Sequence, residues 1–171
     1  MQPETTIRAE QPGDRDAIFT LNAAAFDTDA EARLVDVLRE RMPVYLSLVA
    51  EQEGTLVGHI LFTPVTLSGH PDRQILGLAP MAVAPDHQRQ GIGAALIEAG
   101  LAACREAGAG AVTVLGHPDY YPRFGFHIAS DRGISCEFDV PAEAFMVVEL
   151  VPGFLDGMSG TIVYDAAFRE V

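Results

Sequence analysis

Cysteines and long apolar runs are both scarce in this sequence. The two cysteines, Cys104 and Cys136, are far apart and match no metal-ligand spacing. The first residues lack a basic region followed by an apolar core, so we expect no secretory signal and therefore free thiols in a cytoplasmic protein. No apolar run approaches membrane-spanning length, and we expect no membrane partner.

Basic residues are also few, with 11 Lys and Arg against 24 Asp and Glu and a formal net charge of −13. This imbalance disfavours nonspecific binding to nucleic acid and makes an amine-bearing or cationic partner easier to attract. Solubility explains the same imbalance at least as well. The chain has 171 residues, 49% of them hydrophobic and 20% charged, which is typical of a soluble globular protein. We expect residues 1–171 to form a single domain.

The stretch from Leu78 to Leu96 predicts a binding site for a phosphate group. It contains an extended apolar run, a turn with proline and polar residues, a loop with Gly91 and Gly93, and the start of a helix. Glycines remove the Cβ atoms that would keep an anion away from the backbone, so unpaired N–H groups of the first helical turn can converge on it. The helix dipole and the side chain of Arg89 add positive charge.

This loop lacks the marks of the two common nucleotide-binding motifs. No Lys-Ser/Thr pair follows the glycines, as a P-loop requires, and no third glycine stands where the dinucleotide fingerprint has one. A nucleoside triphosphate or a dinucleotide is therefore disfavoured as the ligand.

Two motifs resemble those of the GNAT superfamily of acyl-CoA N-acyltransferases. The run from Gln88 to Gly93 has the form Gln-x-x-Gly-x-Gly and follows a strand that ends in Val-x-Pro, which resembles motif A of that superfamily. The run from Tyr121 to Phe126 resembles its Tyr-x-Lys/Arg-x-Gly-Phe motif. Two such motifs in order are much more specific than either alone. The chain is similar to the small, stand-alone bacterial N-acetyltransferases of the superfamily.

The resemblance implies direct transfer of an acetyl group from acetyl-CoA, used as a co-substrate, to an amine, without an acyl-enzyme or a metal. It implies that the backbone of the fourth strand holds the pantetheine arm and polarises the thioester carbonyl, while the glycine loop holds the pyrophosphate. The residues expected to bind the coenzyme are Met81, Ala82, Val83, Gln88, Arg89, Gln90, Gly91, Ile92, Gly93 and Ala94.

Tyr121 matches the superfamily position whose hydroxyl protonates the departing thiolate, and the resemblance therefore implies that it is catalytic. Tyr120 is the rival, but only Tyr121 has the required spacing to Gly125 and Phe126. The Asn-x-x-Ala helix that usually precedes this tyrosine is missing, so no coenzyme contact is assigned there.

The base that deprotonates the amine stays open, with Glu31, His117, Asp119 and water as candidates. For Glu31 a structural role is the stronger prediction, because Thr28 and Glu31 match a capping box. The acceptor, the length of the acyl group and a homodimer are open as well. The alternative function is a module that binds acyl-CoA without transferring the acyl group, which the retained Tyr121 disfavours.

The expected fold is mixed α/β (α+β) and GNAT-like, with a mostly antiparallel sheet of six or seven strands and flanking helices. Helices are predicted from Asp14, from Thr28 and after the glycine loop, and Gly100 inside the last helix predicts close packing. The resemblance implies that the fourth and fifth strands are parallel and splay apart. Pro80 removes a ladder donor, which favours an edge, a bulge or an opening in the sheet at that point. Strands are predicted over 5–10, 45–52, 55–67, 74–83, 111–115, 145–150 and 161–164.

Overall fold

A computed structural model describes residues 3–170 of the chain. Within this range the chain divides into two compact units, and each is described by itself. The first unit comprises residues 3–62, 79–100 and 166–170, and the second comprises residues 63–78 and 101–165. The single-domain organisation stays a prediction.

Residues 3–170 form three α-helices and nine strands, and the strand pairing is mostly antiparallel. The helices are α1 (Arg15–Phe26), α2 (Ala30–Arg41) and α3 (Ile92–Glu106). The strands are β1 (Thr6–Ala9), β2 (Leu46–Gln52), β3 (Thr55–Leu67), β4 (His70–Val83), β5 (Ala111–Leu115), β6 (His127–Ile128), β7 (Ile134–Cys136), β8 (Phe145–Glu149) and β9 (Gly160–Val163). The predicted fold class, a mixed α/β fold with parallel fourth and fifth strands, is confirmed. None of the helices formed by residues 3–170 combines the length and the apolar character needed to cross a membrane.

In the first unit, two helices cover an antiparallel meander of strands. β1 pairs with β2, and β2 pairs with β3 across a turn at Glu53 and Gly54. The apolar stripes of α1 and α2 pack on this meander because their hydrophobic residues recur at helical spacing. The buried cluster that results consists of Ile18, Leu34, Val35, Leu38, Val49 and Leu61.

The N-terminus of α2 differs from its prediction. The helix begins at Ala30, with Asp29 at the N-cap and no capping bond from that side chain. Glu31 is therefore the second helical residue, whereas a capping box requires the third. Its Oε2 atom is buried and has no hydrogen-bond partner among the described residues. The predicted capping role of Glu31 is wrong, because the helix starts one residue later than the Thr28 signal implies.

A chain of buried polar side chains crosses the first unit. The Asn22 Nδ2 atom donates to His59 Nδ1 at 3.2 Å, which leaves the imidazole proton on Nε2, 2.9 Å from the Ser47 hydroxyl oxygen. That hydroxyl donates to Glu10 Oε1 at 2.5 Å, and the Arg39 guanidinium binds the same carboxylate at 2.9 and 3.0 Å. The neutral ring of His59 thus links α1 to the strands through defined donors and acceptors.

This buried histidine predicts a loss of stability in acid. Burial is the main cause that lowers the pKa of His59 to about 4, while Glu10 opposes the shift and Arg39 adds to it. Between that value and the ordinary value of 6.5, the unfolded chain binds more protons than the folded protein. The stabilisation is therefore complete above pH 6.5 and is lost as the pH falls towards 4. At about 1.4 kcal/mol per pKa unit, the loss amounts to about 3 kcal/mol.

Urea unfolding across this pH range measures the effect, with His59→Gln as the comparison because glutamine does not titrate. The free energy of unfolding of the parent should fall more steeply with acid than that of the variant. Parallel pH dependences of the two proteins would contradict the assignment to His59.

In the second unit, β4 and β5 pair in parallel from Ile75 opposite Ala111 to Leu78 opposite Val114. β8 adds to β5 in antiparallel orientation, and β6 adds to β8. The end of β3 pairs with β9, which pairs in turn with β7. β6 and β7 raise the number of strands above the predicted six or seven, and they span only two and three residues, which is too short for an alternating pattern.

Both cysteines lie in the second unit and are free, as predicted. Cys104 is fully buried, and burial raises the pKa of its thiol to about 12. Cys136 is half-buried, and burial also raises the pKa of its thiol.

Candidate active site

The glycine loop stands at the N-terminus of α3 in the first unit. Arg89 and Gly91 have φ values of 65° and 86°, in the left-handed region. The first hydrogen bond of α3 runs from the Ala95 N–H to the Gly91 carbonyl at 3.1 Å. The N–H groups of residues 92–94 precede that bond, so the helix offers them no acceptor and they are available to an anion.

The space around Gly91 is open. Apart from its chain neighbours, no residue of the described range 3–170 would lie within 4 Å of a Cβ atom at this position, and the loop residues from Gln88 to Gly91 are exposed. Ile92 is 3% exposed and anchors the loop in the core of the unit. The loop thus leaves its backbone open to solvent at the N-terminus of α3, where a phosphate group is predicted to bind.

One hydrogen bond joins the loop to the end of β4, and a second joins the residue after β4 to β3. The Gln88 Nε2 atom donates to the Val83 carbonyl at 3.1 Å, and the Ala84 N–H donates to the Val57 carbonyl at 2.9 Å. The structure therefore brings together the two segments predicted to bind the coenzyme, Met81 to Val83 and the glycine loop. The bracing role of the Gln88 side chain was not predicted.

Two glycines let α3 lie close to β3. A Cβ atom at Gly58 would lie 2.9 Å from Leu96 Cδ1, and one at Gly100 would lie 2.4 Å from Phe62 Cε1. The predicted close packing at Gly100 is confirmed. Because this contact fixes the helix against the strand, it also fixes the position of the N–H groups at its start.

Tyr121 belongs to the second unit and is the first residue of a 3-10 turn, Tyr121–Phe124. Its side chain is 8% exposed, and its ring meets those of Tyr120 and Phe126 edge to face, with centroids 5.2 and 5.6 Å away. Burial and, to a lesser extent, Tyr120 raise the pKa of Tyr121 to about 12. The hydroxyl therefore keeps its proton at neutral pH and can act as a proton donor.

Tyr120 has a different environment. It is half-buried, and the Arg123 guanidinium lies over its ring, 4.8 Å from the centroid. Burial raises the pKa of Tyr120 as well, and the charge of Arg123 opposes that shift. Of the two tyrosines, Tyr121 is the more deeply buried.

The candidate bases lie in both units. Glu31 belongs to the first unit, and His117 and Asp119 are exposed residues of the second. The His117 carbonyl accepts the N–H groups of Tyr120 and Tyr121 at 3.1 and 3.4 Å, so its backbone begins the turn that carries the two tyrosines. This backbone contact was not predicted.

Comparisons with known proteins agree with the two motifs. The model of the acetyltransferase (GNAT) family matches residues 15–126. An uncharacterized N-acetyltransferase, YhbS of Escherichia coli (strain K12), is 39% identical over 165 residues, which cover 96% of this chain and 98% of that protein.

Two crystal structures resemble the whole chain. That of YhbS from Escherichia coli in complex with CoA has a TM-score of 0.92 and 36% identity, covering 99% of this chain and 94% of that one. That of a GNAT family acetyltransferase from Brucella melitensis in complex with acetyl-CoA has a TM-score of 0.80 and 36% identity, covering 98% and 99%. The family match and these relatives show that the chain, which carries the open glycine loop at the N-terminus of α3, belongs to the acetyltransferase (GNAT) family.

Proposed function

We propose that this protein transfers the acetyl group of acetyl-CoA directly to the nitrogen of an amine acceptor. The observation that carries the proposal is the open loop at the N-terminus of α3, with Gly91 at a φ of 86° and empty space where a Cβ atom would stand. Relatives that are 36% identical over almost the whole chain are crystallised with CoA or acetyl-CoA, which supports this ligand.

In this proposal the first unit binds the coenzyme. The N–H groups of residues 92–94 bind the pyrophosphate, and the charge of Arg89 adds to the attraction. The backbone from Met81 to Val83 holds the pantetheine arm and polarises the thioester carbonyl. The hydrogen bond from the Gln88 side chain to the Val83 carbonyl holds the loop against the end of β4. Positioning the two reactants supplies much of the rate, because the thioester is already activated.

Tyr121 supplies the proton for the leaving group. The amine nitrogen bonds to the carbonyl carbon, the carbon–sulfur bond breaks, and the Tyr121 hydroxyl donates its proton to the departing sulfur. The amine nitrogen releases a proton as the amide forms, and solvent returns a proton to Tyr121. The products are an N-acetylated amine and the free coenzyme thiol.

Thiol release measured over a panel of amines tests the proposed activity. Acetyl-CoA with an accepted amine should yield free thiol and acetylated amine in equal amounts. Acetyl-CoA binding without turnover on any amine would favour the binding module instead. CoA, and not ATP or NAD, should raise the melting temperature, because the loop lacks the motifs for those nucleotides.

The net charge of the protein predicts a preference among acceptors. With a formal charge of −13, the protein should acetylate neutral or cationic amines faster than amines that carry several phosphates or carboxylates. The comparison needs amines of similar size, assayed at low and at high salt. Fastest turnover on a polyanionic amine, with little dependence on salt, would contradict this prediction.

A further inference from the structure

We propose that Gly116 is a positioning residue for Tyr121. This inference rests on the proposed function, in which the Tyr121 hydroxyl donates a proton. Gly116 directly follows β5, and its N–H donates to the Ala144 carbonyl at 2.9 Å. Its φ lies outside the left-handed region, so the backbone at this position does not itself require glycine.

The ring of Tyr121 occupies the space that a side chain at position 116 would need. A Cβ atom there would lie 2.3 Å from Cε2, 2.9 Å from Cδ2 and 3.3 Å from Cζ of Tyr121. The first two distances are shorter than van der Waals contact between carbon atoms allows, and Cζ is the atom that bears the hydroxyl. Glycine at position 116 is therefore what allows the ring to lie where it does.

Other aromatic rings border Tyr121. Tyr120 and Phe126 meet it edge to face, and the centroid of Phe124 lies 6.5 Å away. A methyl group at position 116 would have to displace a ring whose neighbours are also packed rings. The hydroxyl is the part of the side chain farthest from the backbone, so a tilt of the ring moves it most. A displacement of about 1 Å at a reacting group can cost about 10²-fold in rate.

Gly110 provides a matched control in the same unit. It directly precedes β5, its φ is also outside the left-handed region, and a Cβ atom there would lie 2.0 Å from Phe154 Cε1. Gly110→Ala therefore presses a methyl group against an aromatic ring without touching Tyr121. It should lower the melting temperature and leave kcat unchanged.

The experiment is a double-mutant cycle of Gly116→Ala and Tyr121→Phe, with kcat and the KM for acetyl-CoA measured on one accepted amine. Gly116→Ala should lower kcat by about 10²-fold with KM nearly unchanged. In the Tyr121→Phe background the same substitution should lower kcat no further, because the hydroxyl through which Gly116 acts is already gone.

Parental kcat in Gly116→Ala would overturn the proposal, as would losses that multiply in the double variant. If Tyr121→Phe alone keeps the parental kcat, Tyr121 is not the proton donor, and the positioning role of Gly116 is refuted with it. Tyr121→Phe thus tests the proposed function separately from the role of Gly116. Should Gly116→Ala not fold, Gly116→Ala/Phe126→Leu replaces one of the rings packed against Tyr121 with a smaller side chain. The same loss of kcat is expected there relative to Phe126→Leu alone, and equal kcat of those two variants would overturn the proposal.

Discussion

Tyr121→Phe should lower kcat by roughly 10²–10⁴-fold, the range typical of a lost general acid. The substitution removes only the hydroxyl, so the ring can still pack edge to face against Tyr120 and Phe126. The fold and the affinity for acetyl-CoA should therefore stay nearly as in the parent. The loss should appear in kcat, because the hydroxyl acts only as the thiolate forms.

Tyr120→Phe is the matched control, since it removes a hydroxyl from the adjacent ring of the same turn. Its effect on kcat should be much smaller than that of Tyr121→Phe. The measurement needs an acceptor for which the chemical step limits the rate. On such an acceptor, equal turnover of Tyr121→Phe and the parent would refute the assignment and leave solvent as the proton source.

Gly91→Val should abolish measurable binding of acetyl-CoA while the protein still folds. Its side chain would enter the open space in front of the loop, where the pyrophosphate is proposed to bind. A β-branched residue also disfavours a φ of 86°, so the loop would turn its N–H groups away from the ligand. Calorimetry with acetyl-CoA measures the loss directly.

Gly54→Val separates ligand binding from backbone strain. Gly54 lies in the turn between β2 and β3 with a φ of 82°, and a Cβ atom there would also meet nothing within 4 Å. Both variants should lose stability to a similar degree, and only Gly91→Val should lose acetyl-CoA affinity. Unchanged affinity in Gly91→Val would show that the binding loop is misplaced.

Features encoded by local backbone chemistry were predicted from the sequence. Strands β2, β3 and β5 were predicted within a residue of their observed positions. Gly100 was predicted to pack closely because a glycine inside a helix needs a reason, and Phe62 supplies it. The glycine motif could be identified in the sequence because phosphate binding depends on local glycines and helix ends.

Features that depend on contacts between distant residues were not predicted. The contacts of His59 were not predicted, because nothing in the sequence of β3 indicates that Asn22 and Ser47 bind its two ring nitrogens. The start of α2 was misjudged because Thr28 and Asp29 are both suitable N-caps, and a local pattern does not decide between neighbouring positions. The role of Gly116 was not predicted either, because it depends on the ring of Tyr121, which occupies the space where a side chain at position 116 would lie.

The two cysteines determine how this protein can be assayed and labelled. At neutral pH almost none of Cys104 is thiolate, since it is buried with a pKa of about 12, and Cys136 is also disfavoured as a nucleophile. Chromogenic thiol reagents should therefore react faster with the released coenzyme than with the protein and report its release continuously. A cysteine introduced at exposed Arg89 should react before the native ones, which would allow a fluorophore to be attached at the loop without first removing Cys104 and Cys136.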